Sequence, residues 1–574
     1  MSEEKNMLNG SQILLESLIH QGVDTVFGYP GGQIMPVYDS LYDYTDRLRH
    51  ILVRHEQGAI HAAQGYARIT NRPGTVIVTS GPGVTNVITG VADAMVDSTP
   101  VVVIAGQVGT GLLGTDAFQE TDLVGMATPI AKWAYQIRRP EDVAWAVARA
   151  YYIAGSGRPG PVVLDFPKDA QTGMAEYIPR TCDFIRSYVP CPEPSDEVIG
   201  QAAKMINEAR KPFVVFGHGI ILSEAEKELE EFLDKADIPA GSTMLGLSAL
   251  KSDNPHYLGM VGMHGTLANN HLTQNCDLLI AVGLRFSDRI TGTISTYARQ
   301  ARIIHIDLDA SEIGKNIPVD LGVLGDAKSV LRRLTAAIDK KTRDVWDVEI
   351  ETCNRTETER VIDYELHPES GMIRPGEVVN AVAEASGGNA VVVTDVGQNQ
   401  LFASRYSKFN RTRSMITSGG LGTMGFGLPA AIGAKIASPE RQICLFVGDG
   451  GFQMTIQELG TMVQEKVGVK VILLNNNWLG NVRQFQELIY SRYSFTRMLN
   501  PDYEKIAEAY GIDSAVVESR DELKTAIDRM FADDRPFILN VHVCEEDNVF
   551  PMILPGKSVN EILLNATDWF EYGK

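Results

Sequence analysis

Short runs of β-branched and aliphatic residues recur along the chain, each closed by a glycine-rich turn and followed by a stretch with helical spacing of its apolar positions. The first block holds ILV at 51–53, TVIVT at 75–79, PVVVIA at 100–105 and PVVLD at 161–165. The rhythm restarts at PFVVF (212–216), LLIAVG (278–283) and RIIHID (302–307), and again at AVVVTD (390–395), QICLFVGD (442–449), VKVILLNN (469–476) and FILNVHV (537–543). Strands that are apolar at nearly every position, rather than at alternate ones, are covered on both faces, as in parallel sheets flanked by helices. The pattern predicts an α/β fold of three doubly wound parallel-sheet domains. RSYVPCPEPSDE (186–197), with three prolines and an acidic end, predicts an exposed linker after the first block. The charged, glycine-free stretch DKKTRDVWDVEIETCNRTETER (339–360) separates the second from the third. The expected domains are 1–185, 195–345 and 370–555, followed by a tail at 556–574.

A chain of 574 residues has room for three well-buried cores. Charge narrows the partners: 52 Lys and Arg against 72 Asp and Glu give a net charge of −20. That balance argues against a protein whose main task is to grip nucleic acid or an anionic membrane. No uncharged run approaches the length of a membrane span, and MSEEKNMLNG at the start holds no apolar signal core, so a cytoplasmic location is expected. The six cysteines (Cys182, Cys191, Cys276, Cys353, Cys444, Cys544) are scattered without a C-x-x-C pair and read as reduced thiols.

Candidate chemistry concentrates at 442–480. A buried strand there ends in Gly448-Asp449-Gly450, with Gly451 next; a helix follows, and the next strand ends in Asn475-Asn476, the second 27 residues after Asp449. Both strand ends then face the same edge of the sheet, where open α/β folds bind ligands. Asp449 offers a carboxylate and Asn476 an amide oxygen, hard ligands suited to Mg²⁺, while glycines and a helix N-terminus admit a phosphate. A lone G-D-G is better read as a turn; the spacing to Asn476 reverses that in favour of a metal-bridged diphosphate site. In ILVRHEQG (51–58), Glu56 closes a short apolar strand before a helical run, and taken alone it reads equally as a position at the start of a surface helix.

The G-D-G, spacing and N-N pattern resembles that of enzymes using thiamine diphosphate, which place a glutamate at a strand end in a different domain, as Glu56 stands. The segments FGYPGGQIMPVYDSLY (27–42), AFQETD (117–122), SGRPGPVVLDFPKD (156–169), TDVGQNQ (394–400) and SGGLGTMGFGLPAAIGA (418–434) complete the comparison. Together they resemble, in order and over nearly the whole chain, the catalytic subunits of acetohydroxyacid synthases, also called acetolactate synthases. The resemblance implies that Glu56 promotes the imino tautomer of the cofactor's aminopyrimidine, that Gly32 lies near the reacting carbonyl, and that Gln119 and Lys168 stand at an entrance lined by Phe118. It further implies that Gly81 admits the cofactor ring, that Met424 keeps the cofactor in its V shape, that Gln398 touches the diphosphate, and that the Trp478 carbonyl joins Asp449 and Asn476 on Mg²⁺. FGHGI (216–220), GMHG (262–265), VGLRFSDRITG (282–292), HIDLD (305–309) and LGDAK (324–328) resemble the FAD stations of the same family. They imply a structural flavin held by Arg158, Gly217, Gly219, His264, Gly265, Gly283, Arg285, Asp307 and Asp326, with Arg289 pairing with the carboxylate of the second substrate.

The implied reaction decarboxylates pyruvate and transfers the hydroxyethyl unit to pyruvate or 2-oxobutanoate. It yields 2-acetolactate or 2-aceto-2-hydroxybutanoate, the first shared step of branched-chain amino acid synthesis. The implied assembly is a homodimer or tetramer with active sites between subunits and a separate small regulatory subunit, without nucleic acid or membrane partners. Departures stand out in NNNWLGNVRQF (475–485), where Asn481 and Phe485 replace the family's usual Met and Trp, and at Gln33, which replaces a small residue. A phenyl ring grips an extra methyl less well than an indole, so Phe485 predicts weaker discrimination between pyruvate and 2-oxobutanoate. Other readings stay open at this point: a thiamine diphosphate enzyme of another specificity, such as pyruvate oxidase or a carboligase; a flavin-free fermentative synthase; or a non-catalytic nucleotide-binding regulatory subunit.

Overall fold

A computed structural model describes residues 6–568. The first five residues of the N-terminal block and the last six of the tail, 569–574, lie outside the described residues. Three six-stranded sheets, parallel throughout, account for the three predicted blocks. The first runs in the order Arg49–Leu52, Thr25–Gly28, Gly74–Val78, Val101–Gln107, Pro161–Pro167, Trp133–Gln136. The third repeats that topology with Met415–Ile416, Val391–Thr394, Ile443–Gly448, Val469–Asn475, Phe537–His542 and Asp513–Val517. The middle sheet differs: Tyr257–Met260, Ala240–Ser242, Pro212–Phe216, Leu278–Val282, Arg302–Asp307, Leu321–Leu324. Its chain order reverses beside the first strand, the arrangement that opens a dinucleotide crevice at the carboxyl ends of the strands.

The strands are apolar throughout because each feeds two cores. In the third sheet Ile443, Leu445 and Val447 face one hydrophobic cluster while Cys444 and Phe446 face the other. Every edge strand except Arg49–Leu52 escaped the sequence pattern, because edge strands are short or half-exposed; Trp133–Gln136 is partly exposed at all of its positions.

The first and third domains meet through two helices, Glu56–Thr70 and Gly427–Ala437. They cross so closely that a Cβ on Gly65 would sit 2.0 Å from the Ala430 carbonyl oxygen, and one on Gly433 1.8 Å from that of Ala62. The segment 186–195 runs without helix or strand, as a linker should. The charged stretch at 339–360 instead folds onto the middle domain. Trp346 is buried and donates its indole N–H to the Pro212 carbonyl at 3.0 Å, Lys211 pairs with Glu349 at 2.7 Å, and Glu357 pairs with Arg405 of the third domain. All six cysteines are free thiols. Among the described residues no helix is long and apolar enough to cross a membrane.

Candidate active site

Asp449 opens the helix Asp449–Thr455 at the carboxyl end of the strand Ile443–Gly448, only 1% exposed. Its Oδ2 accepts from the Asn477 N–H at 2.7 Å and from Asn500 Nδ2 at 2.6 Å, and its Oδ1 from the Gly450 N–H at 2.9 Å. Burial pushes its carboxyl above the usual range, with these donors opposing the shift. Among the described residues no lysine or arginine pairs with it. Asn476, at the end of the neighbouring strand, accepts the Trp478 N–H at 3.1 Å and donates to Gln398 Oε1 at 3.3 Å. Gln398 spends its own donors on the Asp547 carbonyl (2.9 Å) and Gln484 (3.2 Å), so its side chain holds Asn476 in place.

A small cavity, about 60 Å³, is lined by Met424, Gly448, Asp449, Gly450, Gly451, Asn476 and Trp478 together with Gln398. A buried carboxylate without a cationic side chain, beside an amide oxygen, is the donor chemistry Mg²⁺ takes. Among the described residues no cluster of three or more His, Cys, Asp or Glu side chains could hold a metal alone, so a cation here needs further oxygens, which a diphosphate carries. The Trp478 side chain turns to Tyr493 (5.3 Å between ring centroids) and lies under the Arg497 guanidinium.

The first sheet assembles a second group of predicted residues at its own carboxyl edge. Glu56 is the first residue of its helix, behind His55, whose ring caps the Gln57 N–H. Glu56 Oε2 accepts from Asn86 Nδ2 at 2.9 Å. Gly81 takes φ +58° at the head of the helix Pro82–Val96, and Gln119, itself at φ +63°, packs so tightly that a Cβ on Gly81 would lie 2.9 Å from it. Lys168 reaches the Gly32 carbonyl at 3.4 Å, and Phe118 stands 83% exposed at the rim. None of these residues is among those lining the small cavity at Asp449.

A cavity of about 550 Å³ runs between the domains. Arg158, Gly219, His264, Gly283, Arg285, Arg289, Asp307, Asp326 and Phe485 all line it. Gly217 and Gly265 do not. They serve as packing positions, since Cβ atoms there would lie 2.4 Å from the Gly283 carbonyl and 2.6 Å from that of Met260. Asp326 also caps the helix Ala327–Ala337, accepting from the Lys328 and Ser329 N–H groups. Arg158 pairs with Glu312 at 2.7 Å and Asp309 at 3.3 Å. Burial raises Asp307 to about 6 and lowers His264 to about 4, so His264 is neutral near pH 7. Three arginines, close glycine backbones and a volume in the range of cofactor pockets fit a phosphate-bearing dinucleotide.

Sequence reasoning missed His218, Asn86, Asn500 and Glu312. His218 lines the large cavity, is lowered to about 3 by burial and holds the Asp97 carbonyl at 3.1 Å; its place in the GHG turn was the available signal. The other three act through contacts across the fold, and no local pattern marks them.

Residues 8–126 match the thiamine pyrophosphate enzyme N-terminal TPP binding domain, 199–334 the central domain and 395–541 the C-terminal TPP binding domain. The acetolactate synthase isozyme 2 large subunit of Escherichia coli is 43% identical, over 97% of this chain and 99% of its own. The acetolactate synthase large subunit of Haemophilus influenzae is 40% identical over 97% and 98%, and that of Lactococcus lactis 41% over 98% and 97%. The chain belongs to the acetolactate synthase large-subunit family of thiamine pyrophosphate enzymes.

Proposed function

We propose that the chain is the catalytic subunit of an acetolactate synthase. It decarboxylates pyruvate and joins the remaining two-carbon unit to pyruvate or 2-oxobutanoate, at the first shared step of branched-chain amino acid synthesis. Thiamine diphosphate, when bound, supplies the carbon nucleophile and the electron sink. The observation that carries the reading is Asp449, a buried carboxylate with no cationic side chain among the described residues, set beside Asn476 at the carboxyl edge of the third sheet. Asp449, Asn476 and the Trp478 carbonyl are the proposed Mg²⁺ ligands, and FAD is the proposed occupant of the larger cavity.

Within that frame each residue has a task. Glu56, oriented by Asn86 through Oε2, keeps Oε1 for a proton on the pyrimidine ring. Met424 and the Gly450–Gly451 backbone shape the seat of the cofactor. Arg289, whose side chain is 61% exposed and only loosely paired with Asp288 at 3.5 Å, is the clamp for a substrate carboxylate. Phe485 covers the substrate's carbon side chain. Because the Glu56 group does not line the cavity at Asp449, two copies of the chain, the Glu56 group of one facing the Asp449 group of the other, form the proposed active site. The name "large subunit" on the relatives supports a small partner subunit as well.

The test is turnover of pyruvate by the purified protein, assayed for acetolactate with thiamine diphosphate, Mg²⁺ and FAD together and with each left out in turn. Acetolactate is expected only with the full set. Pyruvate loss coupled to reduction of the flavin, without acetolactate, would instead make the chain an oxidase.

A further inference from the structure

Asp395 follows the strand Val391–Thr394 at the carboxyl edge of the third sheet, its own N–H donating to the Phe446 carbonyl of the neighbouring strand at 3.0 Å. It is closed off from solvent and is not among the residues lining the small cavity at Asp449. Main-chain N–H groups answer its carboxylate: Oδ1 accepts from Val396 at 2.9 Å and Gly425 at 3.1 Å, Oδ2 from Gly425 at 3.0 Å and Gly427 at 2.9 Å. An anion buried in this way is expensive to keep, and burial pushes the carboxyl above its ordinary range against those donors. Gly425, at φ +87°, follows Met424 and packs on the helix Asp449–Thr455, where its Cβ would lie 3.0 Å from Thr455 Cγ2. A Cβ on Gly451 would in turn collide with Asp395 Oδ1, so the same carboxylate rests directly on the turn after Asp449. Between these two points of contact Met424 Cε reaches to 3.6 Å from the Cβ position of Gly450, and Val396, Met424, Gly450 and Gly451 all line the cavity. The loop is tied to the first domain at its start, where Asp97 accepts from the Gly419 and Gly420 N–H groups at 2.9 and 2.7 Å, and to the third domain beyond Met424 by Asp395.

We infer that Asp395 is a positioning residue: it sets Met424 at a fixed height over the Gly450–Gly451 turn and thereby holds the bound cofactor's pyrimidine ring against its thiazolium. The inference rests on the thiamine diphosphate site proposed above, with Met424 shaping its seat. Asp395 itself stays behind the cavity wall and acts through the backbone on either side of it. Its charge form matters because the converging N–H groups need an acceptor at both oxygens. An asparagine there, whichever way its amide turns, sets an NH₂ donor against one of them. A shift of the loop by about 1 Å is enough to cost about 100-fold at the reacting atoms, while the metal ligands Asp449 and Asn476 stay in place.

The test measures exchange of the thiazolium C2 proton for deuterium on the protein loaded with thiamine diphosphate and Mg²⁺, without substrate. Timed samples are quenched in acid, the residual proton is read by NMR, and the rate is taken per cofactor bound. The wild type is expected to exchange far faster than free thiamine diphosphate, and Asp395→Asn about 100-fold more slowly than the wild type, while the cofactor concentration for half-saturation shifts much less. Met424→Ala should slow exchange as well, and adding Asp395→Asn to it should cost less than about threefold more, because residues that act through one another are not additive. An Asp395→Asn effect of the same size in both backgrounds, or none in either, overturns the inference. Gly451→Ala, whose methyl group pushes on Asp395 without replacing it, is the second variant and should show the same dependence on Met424. Failure of both variants to bind the cofactor also overturns the inference, since Asp395 would then hold up the whole seat rather than set Met424. A wild type that does not bind the cofactor, or binds it without speeding exchange, overturns the thiamine diphosphate reading itself.

Discussion

Asn86 donates to Glu56 across 2.9 Å from the same helix, Pro82–Val96, whose other end places Asp93 under the hydroxyls of Ser418 and Thr423. One helix therefore orients the carboxylate of the first domain and anchors the loop that leads to Met424 in the third. Replacing Glu56 by Gln removes the proton-exchanging group and should lower acetolactate formation about 10²- to 10⁴-fold. Asn86→Ala should cost less, about tenfold, because it frees the carboxylate without deleting it. Initial rates with saturating cofactors, alongside melting curves that match the wild type, check both.

Asn500 donates to Asp449 Oδ2 at 2.6 Å and to Asn475 Oδ1 at 2.8 Å, fixing the carboxylate from behind. Residues that orient a metal ligand typically matter about 10- to 100-fold for metal affinity. Asn500→Ala should therefore raise the Mg²⁺ concentration for half-maximal activity by that factor while excess Mg²⁺ restores the rate. A titration of activity against Mg²⁺ distinguishes this from a lost active site, which no concentration would rescue.

What could be read from the sequence divides along physical lines. The long buried strands were legible because burial on both faces writes a continuous apolar run, as in VKVILL ahead of Asn475, whereas the short buried strands Thr25–Gly28 and Ala240–Ser242 carry too few apolar residues to stand out. Asp449 and Asn476 were legible because a helical stretch and one strand fix their separation, although the expected single helix is broken into Asp449–Thr455 and Leu459–Gln464 by a tight turn at Ile456–Glu458. Trp133–Gln136 was not, since a half-exposed edge strand carries little hydrophobic signal. Asn500 escaped because its contact with Asp449 bridges 51 residues of chain, and Glu312 because its task is to meet Arg158 from another domain. Family resemblance supplied roles for Gly217 and Gly265 as cofactor contacts; what the structure adds is that both are also places where backbones touch, which no local pattern announces.

Burial pushes the Asp307 carboxyl from its ordinary 3.8 up to about 6. A group that holds its proton more tightly when folded favours the folded state while protonated. That contribution is complete below the unfolded value and is lost as pH rises through the folded one. Over that window the effect amounts to about 2–3 kcal/mol. Asp307→Asn cannot ionise, so the melting temperature of the cofactor-free variant should fall less than that of the wild type as pH rises from about 4 to about 7. Equal slopes would show that Asp307 titrates normally.

The crossing of the helices Glu56–Thr70 and Gly427–Ala437 leaves no space for a methyl group at Gly433, where the obstacle is the Ala62 backbone itself. Gly433→Ala should therefore destabilise the protein at or above the upper end of the roughly 1–3 kcal/mol that overpacking costs. Thermal unfolding and soluble yield report it. Gly200→Ala, inside an exposed helix with nothing within 4 Å of its Cβ position, serves as the control and should instead stabilise the protein by about 0.5–1 kcal/mol.

The measurement that bears most directly on the account is acetolactate formation by hetero-oligomers of two inactive variants. Glu56→Gln and Asp449→Asn chains, carrying different tags, are co-expressed and the mixed species isolated through both tags. If each active site takes Glu56 from one chain and Asp449 from another, a mixed dimer has one site with both lesions and one with neither. It should then regain about half of the wild-type rate of acetolactate formation from pyruvate. A mixed species as inactive as its parents, beside an active wild type, would contradict a site shared between two copies. A wild type that makes no acetolactate with all three cofactors present would contradict the function itself.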